Sequence, residues 1–420
     1  MSSEDCGKAR LDQTAALSTN RRDVKVIGLI STAHMFSHAY TIVLPPLYPL
    51  LKEEFGVSYA ALGFVMTAFS IASGIGQTPV GFLVDRIGGR GLLIGGLILM
   101  AASIGAVGLV HSYWALLALF MVAGIANTVF HPADYAILSA SVDRSRLGRA
   151  FSVHTFSGNV GWAITPTVII VLTAWMDWRT AVILIGVAGI VCALLLWSQS
   201  SVLSDEKAPE PDAKPKSQAV DSGGRTEKLG MALLLSPPIL MAFLFFLLVS
   251  AGTGGLRAFL VSALVAAEQT PLSVANGALT GFLVGGAAGI LAGGVVVDRL
   301  GKPERTAVFG FLLTAAFIVL AGLPSMPFVI MLGALSAAGF FSGIVQPSRD
   351  ILVRNVTPEG QAGKVFGFVS TGLSIGGAVI PPVFGWIMDN SDPRWVFWLA
   401  AAMVLANVLT VGGLARAARR

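Results

Sequence analysis

GFLVDRIGGR (Gly81–Arg90) is a short polar turn between two long apolar stretches, and GVVVDRLGKPER (Gly294–Arg305) repeats it later in the chain. The aspartates of the two turns, Asp85 and Asp298, are 213 positions apart, which is about half of the 420 residues. Self-similarity at a fixed period indicates internal duplication. The repeated turn therefore predicts two similar halves joined in tandem.

The composition indicates a membrane protein. The chain is 55% hydrophobic and 12% charged, with a mean hydropathy of +0.77, whereas a soluble domain carries about 25% charged residues. Twelve apolar stretches are long enough to cross a bilayer, which takes about 20 residues. They are 24–50, 58–82, 91–110, 113–142, 150–174, 180–200, 234–266, 275–297, 306–323, 327–353, 363–387 and 394–415. We therefore predict an all-α membrane protein with twelve transmembrane helices, in two six-helix bundles related by pseudo-twofold symmetry.

A second pair of segments supports the duplication. Residues 131–166 align with 346–382 at an offset of 215, and the shared positions include Pro132 with Pro347.

The stretch 201–233, rich in Pro, Lys, Asp, Glu and Ser, is typical of a flexible linker. The predicted division is a polar tail (1–23), a bundle (24–200), the linker (201–233), a bundle (234–415) and a tail (416–420).

Basic residues predict the orientation in the membrane. Of 28 lysines and arginines, 23 fall in the tails and loops on the side of the N-terminus, and the opposite loops hold only Lys52, Arg179 and Arg394. Positive loops face the cytoplasm, so both termini are expected there. The basic residues thus set the orientation of the chain in the membrane, and no nucleic acid partner is expected.

Several classes of function are excluded by what the sequence lacks. The two cysteines, Cys6 and Cys192, lie in unrelated regions, and no disulfide framework, metal-ligand spacing or cofactor motif occurs. The chain contains no GxxxxGK[ST] sequence for ATP-driven transport. It also lacks a nucleophile–base constellation near an interface. We therefore expect neither an enzyme nor a bound cofactor or metal.

The twelve spans, the middle linker and GFLVDRIGGR after the second helix resemble the major facilitator superfamily. The resemblance implies a monomeric secondary transporter that works by alternating access, with helices 1, 4, 7 and 10 around a central cavity. Residues 34–63 and HPADYAIL (131–138) resemble bacterial fosmidomycin-resistance-like permeases. This narrower resemblance implies export across a bacterial inner membrane, although such sequences also include uptake permeases.

Ionisable groups inside the spans are functional candidates, because burying one in a bilayer costs roughly 2.5–3.5 kcal/mol. The guanidinium of Arg257 offers a fork suited to carboxylate or phosphonate, or else forms a structural ion pair with an acid. His34 and His38 share a helix face that points either to the cavity or to a neighbouring helix; as a metal site they lack a third ligand at useful spacing. The expected substrate-binding residues are Arg257, His38, His34 and Arg349.

Asp134 and Arg349 occupy equivalent positions in the two repeats, 215 residues apart. We expect an ion pair between the bundles that closes the cytoplasmic end of the cavity, or else a static salt bridge at helix ends. Proton coupling requires a group whose protonation depends on conformation, and neighbouring histidines and acids can provide it. The candidates for proton coupling or gating are Asp134, Asp350, His131, His154 and Asn159.

The family resemblance implies that the repeated turns form a conformational switch. Its residues are Gly81, Asp85, Arg86, Gly88 and Arg90, with Gly294, Asp298, Arg299 and Gly301 as the weaker counterpart. The expected function is proton-linked transport of a small organic anion, as an exporter. The alternatives are uptake of a monocarboxylate-like nutrient, or efflux of lipophilic drugs, which favours an acidic and aromatic cavity.

Overall fold

A computed structural model describes residues 3–204, 233–358 and 361–417, and these ranges are helical, without a strand. Twelve of the described segments are long and apolar enough to cross a membrane. We number them α1 (Asn20–Phe55), α2 (Tyr59–Ile87), α3 (Gly89–Val107), α4 (Tyr113–Ser141), α5 (Arg144–Trp175), α6 (Trp178–Ser198), α7 (Pro237–Glu268), α8 (Leu272–Leu300), α9 (Pro303–Ala321), α10 (Phe328–Asn355), α11 (Lys364–Asn390) and α12 (Trp395–Ala417).

Each of the twelve predicted stretches overlaps one of these helices, so the prediction of a multi-pass α-helical membrane protein is confirmed. The helix pairs α1–α5, α2–α4 and α3–α6 pack within the first half, and α7–α11, α8–α10 and α9–α12 pack in the same way within the second half. The predicted linker (201–233) and C-terminal tail (416–420) lie largely outside the described residues, as do the first two residues of the tail 1–23.

The two halves meet through equivalent helices, α2 against α11 and α8 against α5. The Thr67 hydroxyl donates to the carbonyl of Ala378 in one contact, and the hydroxyls of Thr167 and Thr280 lie 2.9 Å apart in the other. Thr67 and Thr280 are 213 positions apart, the offset of the repeated turns. The contact between the bundles therefore follows the pseudo-twofold symmetry of the sequence.

Two helices that reach the centre of the molecule are interrupted. The regular part of α1 ends at Thr41 and is followed by a 3₁₀ turn over Pro45–Leu47, because prolines cannot donate the backbone hydrogen bond that would continue the helix. In α7 the segment Ser250–Gly254 forms a π-helical turn between two α-helical parts. Such turns occur frequently at functional sites.

The repeated turns end α2 and α8 in similar ways. Gly88 follows α2 with a φ of +87°, and Gly301 follows α8 with a φ of +59°. Glycine tolerates positive φ because it lacks a Cβ atom. The glycine at the fourth position of each Asp-Arg-x-Gly sequence is thus explained by the backbone conformation that the turn requires.

The starts of α6 and α12 also repeat. The carboxylate of Asp177 accepts hydrogen bonds from the backbone N–H groups of Arg179 and Thr180 at 2.9 and 3.0 Å, and Asp392 accepts one from Arg394 at 2.8 Å. Acidic residues at this position stabilise helix starts. Hydrogen bonds from the Thr180 hydroxyl and backbone lower the pKa of Asp177 below its usual value.

Candidate functional site

A cavity of about 390 Å³ lies between the two bundles. An adjoining cavity of about 140 Å³ shares three of its lining residues, Trp162, Ser250 and Arg257. Helices α1, α7 and α10 contribute to these walls, as the family resemblance implies, together with α2, α5, α8, α9 and α11. Helix α4, which the resemblance also places at the cavity, contributes no lining residue among those described. Of the expected site residues, Arg257, Arg349 and Asn159 line the larger cavity.

Arg257 follows the π-helical turn of α7 and carries its charge into both cavities. Its guanidinium carbon lies 4.6 Å from the centre of the Trp162 ring, and its Nε donates to the carbonyl of Thr253 at 3.3 Å. Within the described part of the chain, Arg257 forms no ion pair with an acid. A cation that is mostly removed from water usually has an acidic partner. Because Arg257 has none among the described residues, its guanidinium can accept an anionic ligand.

Arg349 supplies a second positive charge to the same cavity. Its guanidinium carbon lies 4.5 Å from the centre of the Phe246 ring, and its Nε is 2.9 Å from Oδ1 of Asp350. Asp350 is thus the local partner of Arg349. The ion pair expected between Arg349 and Asp134 is not formed in this conformation, because Asp134 is fully buried inside the first bundle.

Four of the five histidines of the chain form a group that joins α1, α4 and α5. The ring centre of His34 lies 3.7 Å from that of His154, 4.5 Å from His38 and 5.3 Å from His131. Asp134 belongs to the same group, since its Oδ2 is 3.1 Å from Nδ1 of His34. Spacing along the chain shows no third ligand beside His34 and His38, whereas the packing of the three helices brings the imidazoles of His131 and His154 beside His34.

Within this group, His34 and His38 lie behind the wall of the cavity. The His38 ring centre is 4.5 Å from that of Trp162, and Trp162 faces the cavity while its Nε1 donates to the Thr41 hydroxyl at 2.8 Å. His34 is buried against Asp134. In this conformation both histidines contact neighbouring helices, which is the second of the two orientations expected for their helix face.

The switch residues lie at the ends of α2 and α8. Asp85 and Asp298 are both exposed, and in the described ranges neither makes a hydrogen bond or an ion pair. Their helix ends lie on the side of the molecule that carries the ends of α1 and α12 nearest the chain termini, which we call the termini side. The switching role of these residues stays a prediction.

The opposite side, which we call the far side, is closed by a contact that the sequence did not reveal. The Asp389 carboxylate at the end of α11 accepts hydrogen bonds from the backbone N–H groups of Tyr59 and Ala60 at 3.0 and 2.9 Å, at the start of α2. Lys52 Nζ lies 3.4 Å from the same carboxylate. We call these four residues the far-side latch. One bundle thereby caps a helix of the other.

Aromatic rings separate the cavity from the far-side latch. The Phe259 ring centre lies 5.3 Å from that of Tyr48 and 6.3 Å from that of Tyr59. The amide of Asn276 donates to the carbonyl of Pro46 at 3.4 Å. Phe259 is two residues beyond Arg257 along α7, so the aromatic contact lies about 3 Å farther along the helix axis than Arg257.

The comparisons with known proteins agree with this architecture. The sequence profile of the Major Facilitator Superfamily matches residues 30–270 and 252–419. The fosmidomycin resistance protein of Escherichia coli strain K12 is 25% identical over 94% of this chain and 95% of its own length. A probable galactarate/D-glucarate transporter of Bacillus subtilis strain 168 is 23% identical, with 87% of each chain covered.

A solved structure has the same fold. It is a bacterial homologue of the human lysosomal transporter Spinster in an inward-facing and occupied conformation. The TM-score is 0.70 over 94% of this chain and 95% of the other, at 15% sequence identity. At this identity the likeness extends to the fold alone.

Proposed function

This chain belongs to the major facilitator superfamily, and from that premise we propose that it is a secondary active transporter that moves a small organic anion by alternating access. We further propose that transport is proton-linked, that it proceeds outward across a bacterial inner membrane, and that the protein works as a monomer with both termini in the cytoplasm. The observation that carries the proposal is Arg257, whose guanidinium faces the cavity between the bundles and has no acidic partner in the described ranges.

The chemistry of the cavity favours an anion. A guanidinium presents parallel N–H donors that match the two oxygens of a carboxylate or the oxygens of a phosphonate. Arg257 and Arg349 line one cavity, and the described residues of its walls include no acid. Stacking on Trp162 holds the Arg257 guanidinium in place by a cation–π contact. Efflux of lipophilic cations is less well supported, because Asp134 is buried behind Trp162 and Asp350 is paired with Arg349.

The names of two relatives support this class of substrate, whereas other relatives are named for chloramphenicol or multidrug resistance. One is named for resistance to fosmidomycin and another for transport of galactarate and D-glucarate, which are anions. Uptake of a monocarboxylate-like nutrient remains the alternative to export, and the cavity serves either direction equally. Flux measured in both directions across a sealed membrane distinguishes export from uptake.

The conformation fits one state of an alternating-access cycle. The far-side latch and the Tyr48–Phe259 contact close the cavity on that side, and on the termini side Asp85 has no partner among the described residues. We interpret this as the inward-facing state. The roles in proton coupling or gating expected for Asp134, Asp350, His131, His154 and Asn159 stay predictions, as do the substrate contacts of His34 and His38.

Ligand-induced thermal stabilisation of the detergent-purified protein tests the proposal. Selective binding to the folded state raises the melting temperature by mass action. We expect stabilisation by carboxylates and phosphonates, with D-glucarate and fosmidomycin as probes, and none by tetraphenylphosphonium. Arg257→Ala should abolish the effect, whereas Arg354→Ala should retain it, because Arg354 is an exposed arginine at the end of α10 and is absent from the cavity walls. Stabilisation by the cation alone would contradict the proposal.

A further inference from the structure

The imidazoles of His34, His131 and His154 are arranged as a set of ligands. One ring nitrogen from each lies within 4.8 Å of the other two. They come from α1, α4 and α5, and are 120 residues apart from first to last in the sequence. His34 and His154 are buried, while His131 is exposed, which gives an ion an entry path to the group.

Several polar atoms of this group have no hydrogen-bond partner among the described residues. Both ring nitrogens of His154 are buried and unpartnered, as are Nδ1 of His38 and Oδ1 of Asp134. The distance from His154 Nε2 to Asp134 Oδ2 is 3.8 Å, too long for a hydrogen bond. Buried polar atoms are almost always satisfied, so such a concentration of unpartnered atoms indicates that the group holds a further species.

Asp134 fixes the orientation of one ligand. Its Oδ2 is 3.1 Å from Nδ1 of His34, so Nδ1–H donates to the carboxylate and the lone pair is left on Nε2. A carboxylate behind a histidine is the usual arrangement in metal sites. The Nε2 atom is reachable because position 158 is glycine: a Cβ atom there would lie 3.0 Å from it.

We propose that His34, His131 and His154 bind a divalent transition-metal ion, with Zn²⁺ as the best match and Asp134 as a positioning residue. Zn²⁺ binds imidazole nitrogens at about 2.0–2.1 Å, which places ligand nitrogens about 3.4 Å apart. Ring rotation would have to bring the three nitrogens from their separation of up to 4.8 Å to that spacing. Mg²⁺ and Ca²⁺ do not suit this site, because both ions prefer oxygen ligands and the three histidines offer nitrogen. A bound ion ties α1, α4 and α5 together inside one bundle.

Cobalt binding tests the site without any transport measurement. The protein, purified without a histidine tag and treated with chelator, is titrated with CoCl₂ while the visible absorption of the ion is recorded. We expect one Co²⁺ per chain, displaced by ZnCl₂ and unaffected by MgCl₂. His131→Ala should weaken binding by more than about 100-fold, because losing a ligand costs more than losing an orienting partner, which costs 10–100-fold. Asp134→Asn should weaken it 10–100-fold, as loss of an orienting partner does.

His111→Ala is the matched control, because His111 is the fifth histidine and lies outside the group, beside Arg179. It should bind Co²⁺ as the unmodified chain does. His131 is exposed, so its replacement is compatible with folding, and the melting temperature of each metal-free variant verifies this. Absence of stoichiometric Co²⁺ binding, or equal affinity in His131→Ala and His111→Ala, would overturn the metal site. Neither result bears on the organic anion proposed for Arg257.

Discussion

Arg257 combines a fixed charge with a fixed geometry. Its guanidinium stacks on Trp162 and its Nε donates a hydrogen bond to the carbonyl of Thr253, which leaves the N–H donors of the two terminal nitrogens for a ligand. A lysine at this position would keep the charge but would present a single ammonium in place of the fork. Comparing lysine with arginine at this position therefore separates charge attraction from recognition of a carboxylate or phosphonate by two parallel hydrogen bonds.

We therefore predict that Arg257→Lys binds the anion at least tenfold more weakly than the unmodified protein but more tightly than Arg257→Ala. Titration calorimetry with the anion that stabilises the protein provides the three dissociation constants. Arg354→Lys, the same exchange at an exposed position, should leave affinity unchanged. Equal affinity in Arg257→Lys and the unmodified protein would show that Arg257 contributes its positive charge and not the geometry of its guanidinium.

The sequence identified some of these residues and missed others for a physical reason. An arginine within an apolar span is conspicuous because its burial is costly, and Arg257 was found in this way. Asp389 lies at a helix end, where acids are ordinary, and its contact with Tyr59 joins residues 330 positions apart. The sequence indicates His131 and His154 as candidates for proton coupling, but only the packing of three helices shows that they share a group with His34.

At the scale of the helix, close contact between α8 and α10 depends on glycine. The Cβ direction of Gly285 points straight at the backbone carbonyl of Ser336, whereas that of Gly277 on the same helix meets nothing within 4 Å. Small residues allow membrane helices to approach in this way. Helix α8 therefore offers a tight position and an open position for the same substitution.

We predict that Gly285→Ala lowers stability by about 1–3 kcal/mol, because the added methyl group forces α8 and α10 apart. Gly277→Ala should change it little. Thermal unfolding of both variants in the same detergent measures the difference. If the two variants melt at the same temperature, the α8–α10 contact is looser than the structure indicates.

Helix positions were predictable because a bilayer sets the length of an apolar span, and all twelve predicted stretches correspond to helices. The π-helical turn at Ser250–Gly254 was not predictable, since the sequence SAGTG is also compatible with a continuous helix. This turn depends on tertiary contact: the Ser250 hydroxyl donates to the carbonyl of Leu373 in α11 at 2.8 Å. Its consequence is functional, because it precedes Arg257 by three residues.

In the whole molecule, the far-side latch and the cavity oppose each other across the aromatic contact of Phe259. The Asp389 carboxylate stabilises the start of α2 as an N-terminal cap does, but from the other bundle. Opening the far side must break both hydrogen bonds and the ion pair with Lys52. The latch thus contributes to the balance between the two states of the cycle.

We predict that Asp389→Ala shifts the population toward a state open on the far side. The loss of a cap costs about 1 kcal/mol, which is a roughly fivefold change in the equilibrium. Spin labels at exposed Glu53 and Asn390, in a chain without its native cysteines, report the separation by double electron–electron resonance. Asp392→Ala removes a similar cap within one bundle and should leave the distance distribution unchanged. A shift as large as that of Asp389→Ala would contradict the role of the far-side latch in stabilising the closed state.

The most direct test of the central claim is flux of a labelled organic anion into proteoliposomes under an imposed pH gradient, with the anion taken from the stabilisation experiment. We predict accumulation that collapses with the gradient, is lost in Arg257→Ala and persists in Arg354→Ala. The account is contradicted if no anion accumulates, or if accumulation is unchanged when Arg257 is replaced.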